Sequence, residues 1–423
     1  MVIWVVTFER SIWDVLDEER QSLKEEIRSR ILEEMDISRE VSDEEVLQQI
    51  REHLLQEGHD RGISPGDRRK MEREIFHSLR KLDVLSELLE EEDITEIMVN
   101  GPDQIFIEKK GQLFRSDKVF TTREKLSDVI QQIASAMNKA VNESNPIVDT
   151  RLSDGSRVNI ILPPIAVDSG IISIRRFPKE PINMAKLLAL GSLNREMAEF
   201  LKVLVQAGYN IFLSGGTGSG KTTFLNALTE YIPAGERVIT IEDSAELQVI
   251  GVDNLVRLEA RDKTLEGKLE VSIRDLVRAS LRMRPDRVII GECRGGEALE
   301  MLQSMNTGHD GSLSSGHANS TRDMVARLET MVMMSGMELP VPAIRQQIAS
   351  GIDLFIHLGR LSDRSRKVLE IAEVRGMKDG QVQIEPIYAY EKDEGGRDHW
   401  KKVGKLENRI KLKMAGLTLP ETS

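Results

Sequence analysis

The stretch Gly215-Gly216-Thr217-Gly218-Ser219-Gly220-Lys221-Thr222 (GGTGSGKT) decides the fold. Gly215, Gly220, Lys221 and Thr222 fit G-x-x-x-x-G-K-[ST], the pattern of a phosphate-binding loop. A chance match in a chain of this length is on the order of 1–2% by average residue frequencies. The context the pattern demands is also present: Asn210 to Ser214 reads as a short buried strand, and Thr222 to Tyr231 as a helix. The additional glycines Gly216 and Gly218 let the backbone curl so that its N–H groups point at phosphate oxygens. The helix that follows turns its positive end to the same anion. Lys221 is expected to reach the β- and γ-phosphates of ATP, and the Thr222 hydroxyl to bind Mg²⁺. The expected nucleotide-binding run extends through Thr223.

Working outward, residues from Met184 to Tyr390 alternate strand and helix, which predicts a parallel sheet covered by helices. Hydrolysis needs carboxylates for the metal's water shell and for the attacking water. Arg287-Val-Ile-Ile-Gly-Glu292 reads as a buried strand delivering Glu292 to its C-terminal end, where ligands sit in open α/β sheets. Glu242 and Asp243 end the apolar strand before it in the same way. Thr222, Glu242, Asp243 and Glu292 are therefore the candidate Mg²⁺ set. His309 and His317 lie in a glycine-rich polar segment, Asn306 to Asn319, and are read as candidate sensors of the γ-phosphate. No cysteine or third histidine has the spacing of a zinc site, and Cys293 reads as a small core residue.

The remaining chain divides by texture. Residues 1–78 read as a helical extension, with Leu16, Leu23, Ile27 and Ile31 on one face and a capping box at Ser42 and Glu45. Residues 79–180 read as a small α+β domain, with strands Ile94 to Val99, Ile105 to Glu108, Arg157 to Leu162 and Gly170 to Phe177, and a helix Arg123 to Ala140. Turns are expected at Asn100 to Asp103 and Lys110-Gly111, and a linker between Pro178 and Pro181. Residues 181–390 form the α/β domain, and 391–423 read as a basic tail.

The net charge is −12 and aromatics are 4%, which argues against direct nucleic-acid binding by the whole surface. One cysteine in 423 residues suits a reducing compartment. No run reaches the roughly 18 apolar residues a bilayer requires. Met1 to Val6 is too short and lacks a basic flank, so a cytoplasmic protein that meets a membrane only through partners is expected.

Further motifs carry a family resemblance from about Leu79 to Tyr390: ITEIMVNGP (Ile94–Pro102), RLSDGSRVN (Arg151–Asn159), SIRRF (Ser173–Phe177), TIEDSAEL (Thr240–Leu247), LRMRPDRVIIGECRGGE (Leu281–Glu297) and Met305 to Ser320. With the phosphate loop, they resemble the ATPases of type II and type IV secretion and type IV pilus assembly, most of all the CpaF/TadA group that powers Flp, or tight-adherence, pili. The resemblance implies a RecA-like P-loop domain preceded by a smaller PAS-like α+β domain. It also implies a hexameric ring, ATP held between domains that close on it, and inner-membrane platform proteins as partners at the cytoplasmic face. A conjugation-type transfer ATPase of the same superfamily is the alternative. By resemblance, Glu242 and Asp243 form an aspartate box, Glu292 is the Walker B glutamate, His317 belongs to a histidine box, and Arg157 and Arg175, with Arg176 as companion, reach the nucleotide phosphates. Two departures stand out. Relatives often read Thr-Thr-Val-His where this chain has Ser314-Ser315-Gly316-His317, which predicts a looser loop before the histidine. The tetracysteine zinc module of several type II ATPases is absent from the sequence.

Overall fold

The computed structural model describes residues 12–34, 41–60, 63–109, 111–177, 181–261, 270–392 and 397–420. Met1 to Val6, Lys110 of the second turn, Pro178 of the linker and the side chain of Leu16 lie outside what is described. The chain divides into two compact units, Met1–Phe177 and Pro178–Ser423.

The first unit opens with α1 (Ile12–Glu34), α2 (Asp43–Asp60) and α3 (Pro65–Arg80). Their apolar stripes meet in one small core: Leu23, Ile27 and Ile31 against Val46, Ile50 and Leu54, with Met71, Ile75 and Phe76 closing it. The capping box that opens α2 is formed, Ser42 N–H donating to Glu45 Oε2 at 3.1 Å and Glu45 N–H to Ser42 Oγ at 3.2 Å. After α4 (Val84–Glu90) come β1 (Ile94–Val99), β2 (Ile105–Lys109), β3 (Gln112–Arg115), α5 (Arg123–Ala136), β4 (Ile147–Arg151), β5 (Arg157–Ile161) and β6 (Ile171–Arg175). The strands form an antiparallel sheet in the order β3-β2-β1-β6-β5-β4, with the apolar face of α5 packed into its core. Helix α5 stops at Ala136, short of the expected Ala140, because Asn138 takes a left-handed φ of 53° that ends the helix.

The second unit runs α6 (Met184–Ala189), α7 (Arg195–Gln206), β7 (Ile211–Gly215), α8 (Lys221–Thr229), β8 (Arg237–Glu242), β9 (Asn254–Glu259), α9 (Ile273–Ser280), β10 (Arg287–Ile290), α10 (Ala298–Asn306), β11 (Leu313–Gly316), α11 (Thr321–Met333), α12 (Val341–Gly351), β12 (Leu354–Arg360), β13 (Arg366–Lys378), β14 (Gln381–Lys392), β15 (Asp398–Lys402) and α13 (Ile410–Ala415). The sheet order is β15-β14-β13-β12-β7-β11-β10-β8-β9. Strands from β12 to β9 in that order are parallel, and β13, β14 and β15 extend the sheet as an antiparallel meander. Side-chain alternation splits each central strand between two cores. Ile211 and Leu213 of β7 face the helices α6 to α8, whereas Phe212 faces α10 to α12.

Two sequence expectations change here. The segment around Leu313 to Gly316 read as a polar loop; it is a fully buried strand between β7 and β10. Its hydroxyls are satisfied inside the sheet, Ser315 Oγ donating to the Gly291 carbonyl at 2.7 Å, so polarity does not expel it. The basic tail is also part of the fold. Asp398–Lys402 pairs with β14, and Leu406 and Leu412 are buried in the core beside α7. Its lysines find partners there: Lys411 lies 2.7 Å from Asp353 and 2.6 Å from Asp310.

Candidate nucleotide site

The phosphate loop bridges β7 and α8 at the C-terminal edge of the parallel strands. Two glycines are obligatory for different reasons. Gly220 caps α8 with a left-handed φ of 92°, and a Cβ on Gly215 would stand 2.4 Å from the Leu358 carbonyl oxygen and 2.6 Å from Ser219 Oγ. Lys221 is buried, its ammonium donating to the carbonyls of Gly215 at 3.1 Å and Gly216 at 3.2 Å. Burial pushes its pKa down, opposed by the nearby Glu292 charge. Ser219 Oγ is buried in the loop without a hydrogen-bond partner, an orphaned polar group that a bound anion would satisfy. Thr222 and Thr223 are half-buried in the first turn of α8.

The loop is already wired to the carboxylates. Lys221 Nζ lies 3.2 Å from His317 Nδ1, and His317 Nε2 lies 2.6 Å from Glu292 Oε1. Burial and the Lys221 charge hold the His317 pKa below its usual value, so the ring is neutral at pH 7. With the proton on Nε2, Nδ1 accepts from the Lys221 ammonium, whereas the Nε2–Glu292 approach is a close contact without hydrogen-bond geometry, and Glu292 Oε1 has no hydrogen-bond partner. Arg294 continues the chain, donating to Glu292 Oε2 at 2.8 Å and lying 3.5 Å from Asp243 Oδ2.

Glu242 ends β8 as expected, and its Oε2 is buried without a hydrogen-bond partner beside Gly291. Its side chain is buried at the tip of β8, and Oε1 accepts the N–H groups of Glu246 at 2.9 Å and Leu247 at 3.0 Å. Burial raises its pKa to about 7. It holds the turn after β8. Among the described residues no cluster of three His, Cys, Asp or Glu can hold a metal ion unaided. The residues fit a Mg²⁺ that would arrive with the nucleotide: the Thr222 hydroxyl would hold it, and Asp243 and Glu292 would hold its water shell.

His309 and His317 are separated by β11, roughly 13 Å of strand at about 3.3 Å per residue. His309 sits at the far end, its Nδ1 3.2 Å from the Ser304 carbonyl at the close of α10, away from the loop. The loop before His317 is not loose. Gly316 ends a buried strand, and a Cβ there would meet Met324 Cε at 3.0 Å and Phe212 Cζ at 3.1 Å, so the glycine serves close packing. Cys293 is fully buried against Met301, Sγ to Sδ 3.4 Å, and burial pushes its thiol pKa up.

Arg157 and Arg175 lie in the first unit, at paired positions of β5 and β6, with Arg151 paired to Arg157 from β4. Arg176 donates to the Ile94 carbonyl at 3.1 Å, which gives it a structural partner within its own sheet. Sequence reasoning missed Arg294, which no spacing rule singles out within its glycine-rich motif. It also missed Arg366, whose Nε donates to the Gly218 carbonyl at 2.9 Å from 148 positions further along the chain.

A parallel sheet of this order, with a lysine-bearing glycine loop linked through His317 to a glutamate just past a strand end, places the chain among the P-loop ATPases with a RecA-like core. Within that class it belongs to the type II/IV secretion system protein family, whose model matches residues 79–405. It is 30% identical over 315 residues to the conjugal transfer protein TrbB of Rhizobium radiobacter, covering 74% of this chain and 93% of that one. It is 33% identical over 316 residues to the type IV secretion system protein PtlH of Bordetella pertussis, covering 69% and 93%. Among solved structures, the pilus retraction motor PilT with bound ADP shares the fold, with a TM-score of 0.50 and 19% identity over 80% of this chain and 88% of that one. Among the described residues no helix is long and apolar enough to cross a membrane.

Proposed function

We propose that the chain is a ring-forming motor ATPase of the CpaF/TadA type, a hexamer that powers pilus assembly or secretion. It would work at the cytoplasmic face of an inner-membrane platform, bound there through partner proteins. The observation that carries this reading is the continuous contact from Lys221 through His317 to Glu292, which joins phosphate binding to the water-orienting carboxylate. The loop N–H groups and Lys221 hold the phosphates. Glu292 orients the attacking water, His317 reports on the phosphate end of the site, and Arg294 fixes the Glu292 carboxylate. Arg157 and Arg175 stabilise charge on the transferring phosphoryl group. Bound Mg²⁺, held at Thr222, supplies charge neutralisation between the phosphates.

In a phosphate-release assay on the pure protein, Glu292→Gln retains ATP binding and loses turnover, while Lys221→Ala loses nucleotide affinity itself. Normal steady-state hydrolysis by Glu292→Gln sinks the assignment. The likeness to a conjugal transfer protein favours a second reading, a conjugation-type transfer ATPase. DNA-stimulated hydrolysis with a steep salt dependence selects it, against the net charge of −12.

A further inference from the structure

The hairpin between β12 and β13 brings two arginines to the phosphate loop from the strand next to β7. Leu358 pairs with Gly215, so β12 leaves the sheet beside the loop and ends at Arg360. The chain returns as β13 at Arg366, the register partner of Arg360. The connection is a tight one: Leu361 N–H donates to the Ser365 carbonyl at 2.8 Å, and Arg364 N–H to the Leu361 carbonyl at 2.9 Å. Arg366 Nε donates to the Gly218 carbonyl at 2.9 Å, and its Cδ lies 3.2 Å from where a Cβ on Gly220 would stand. Arg360 Nη1 lies 3.9 Å from the corresponding point on Gly218. Both side chains are exposed, and among the described residues neither makes an ion pair with a carboxylate.

Like charges at directly paired strand positions repel. An anion on the loop would relieve that repulsion. Arg366 spends one donor on Gly218 and keeps its other N–H groups for a second acceptor. A local conflict of this kind marks a functional position.

We propose that Arg360 and Arg366 belong to the nucleotide site. Arg366 positions the phosphate loop through the Gly218 carbonyl, and Arg360 binds phosphate oxygens of a nucleoside di- or triphosphate from the hairpin side. The inference rests on nucleotide binding at the loop. The test is equilibrium binding of a fluorescent ADP, together with steady-state ATP kinetics, on full-length Arg360→Ala, Arg366→Ala and Arg360→Lys. Each alanine variant weakens ADP binding about tenfold, as expected for loss of a charge-assisted contact. KM for ATP rises in step, with kcat within about twofold. Arg360→Lys restores most of the affinity, because a point charge suffices for phosphate. The difference between Arg360→Ala and wild type shrinks as salt is raised. Wild-type affinity in both alanine variants overturns the inference, as does a lowered melting temperature with affinity unchanged. If the wild-type chain itself binds no ADP, the nucleotide site fails, and this inference with it.

Discussion

His317 stands between a cation and an anion and is itself neutral. Lys221 lies 3.2 Å from one ring nitrogen and Glu292 2.6 Å from the other, so displacement of either neighbour is felt by the ring. A phosphate drawing Lys221 toward itself would loosen the lysine's contact with Nδ1 and leave Glu292 free to re-aim. Arg294 sets where that carboxylate goes, because it is the link between Glu292 and Asp243. Arg294→Ala should lower kcat on the order of tenfold while leaving ATP affinity within about twofold, a split that separates alignment from binding. Paired measurement of kcat by phosphate release and of affinity by equilibrium binding checks it. Glu292 and Lys221 stand out in the sequence because strand ends and a glycine-lysine motif have fixed spacings; His317 stands out only as one of two histidines in a polar segment, and its role comes from the family resemblance. Arg294 and Arg366 do not stand out, because a guanidinium reaches its partner through the folded sheet and leaves no period in the chain. The turn contacts of Glu242 are equally invisible: Oε1 accepts from the Glu246 and Leu247 N–H groups while Oε2 stays unpartnered, and no sequence spacing announces that division.

At the scale of elements, β11 is the strand on which the site turns, since it lies between β7 with the loop and β10 with Glu292. Its sequence, Leu-Ser-Ser-Gly, has none of the β-branched residues that announce a buried strand, and its serine hydroxyls stay inside by bonding across the sheet. That is why composition suggested a loop. Gly316→Val should destabilise this protein by about 1–3 kcal/mol through overpacking against Phe212 and Met324. Denaturant unfolding of the variant beside the wild type measures it; an unchanged midpoint would show that the two side chains move aside freely. The C-terminal strand gave a similar surprise. Its lysines suggested a solvated tail, yet Lys402 lies 3.2 Å from Glu196 and Leu406 and Leu412 are buried. Sparse apolar residues in a charged stretch carry too little periodicity to announce such docking.

At the scale of the whole molecule, the second unit carries the phosphate-loop motif and the strand-end carboxylates, and the first carries Arg151, Arg157 and Arg175 at successively paired positions of β4, β5 and β6. If Arg157 and Arg175 act on the transferring phosphoryl group, Arg157→Ala and Arg175→Ala lower kcat by at least about a hundredfold while ADP still binds. Full hydrolysis by both variants would confine the chemistry to the second unit. The buried Cys293 makes such work unusually direct. It is the chain's one cysteine, and it is sealed beneath the sheet with its thiol held protonated. The natural protein is therefore already a blank for maleimide chemistry. A cysteine introduced on each unit can carry a dye without any native thiol being removed, and the distance between the two labels can be followed through a turnover.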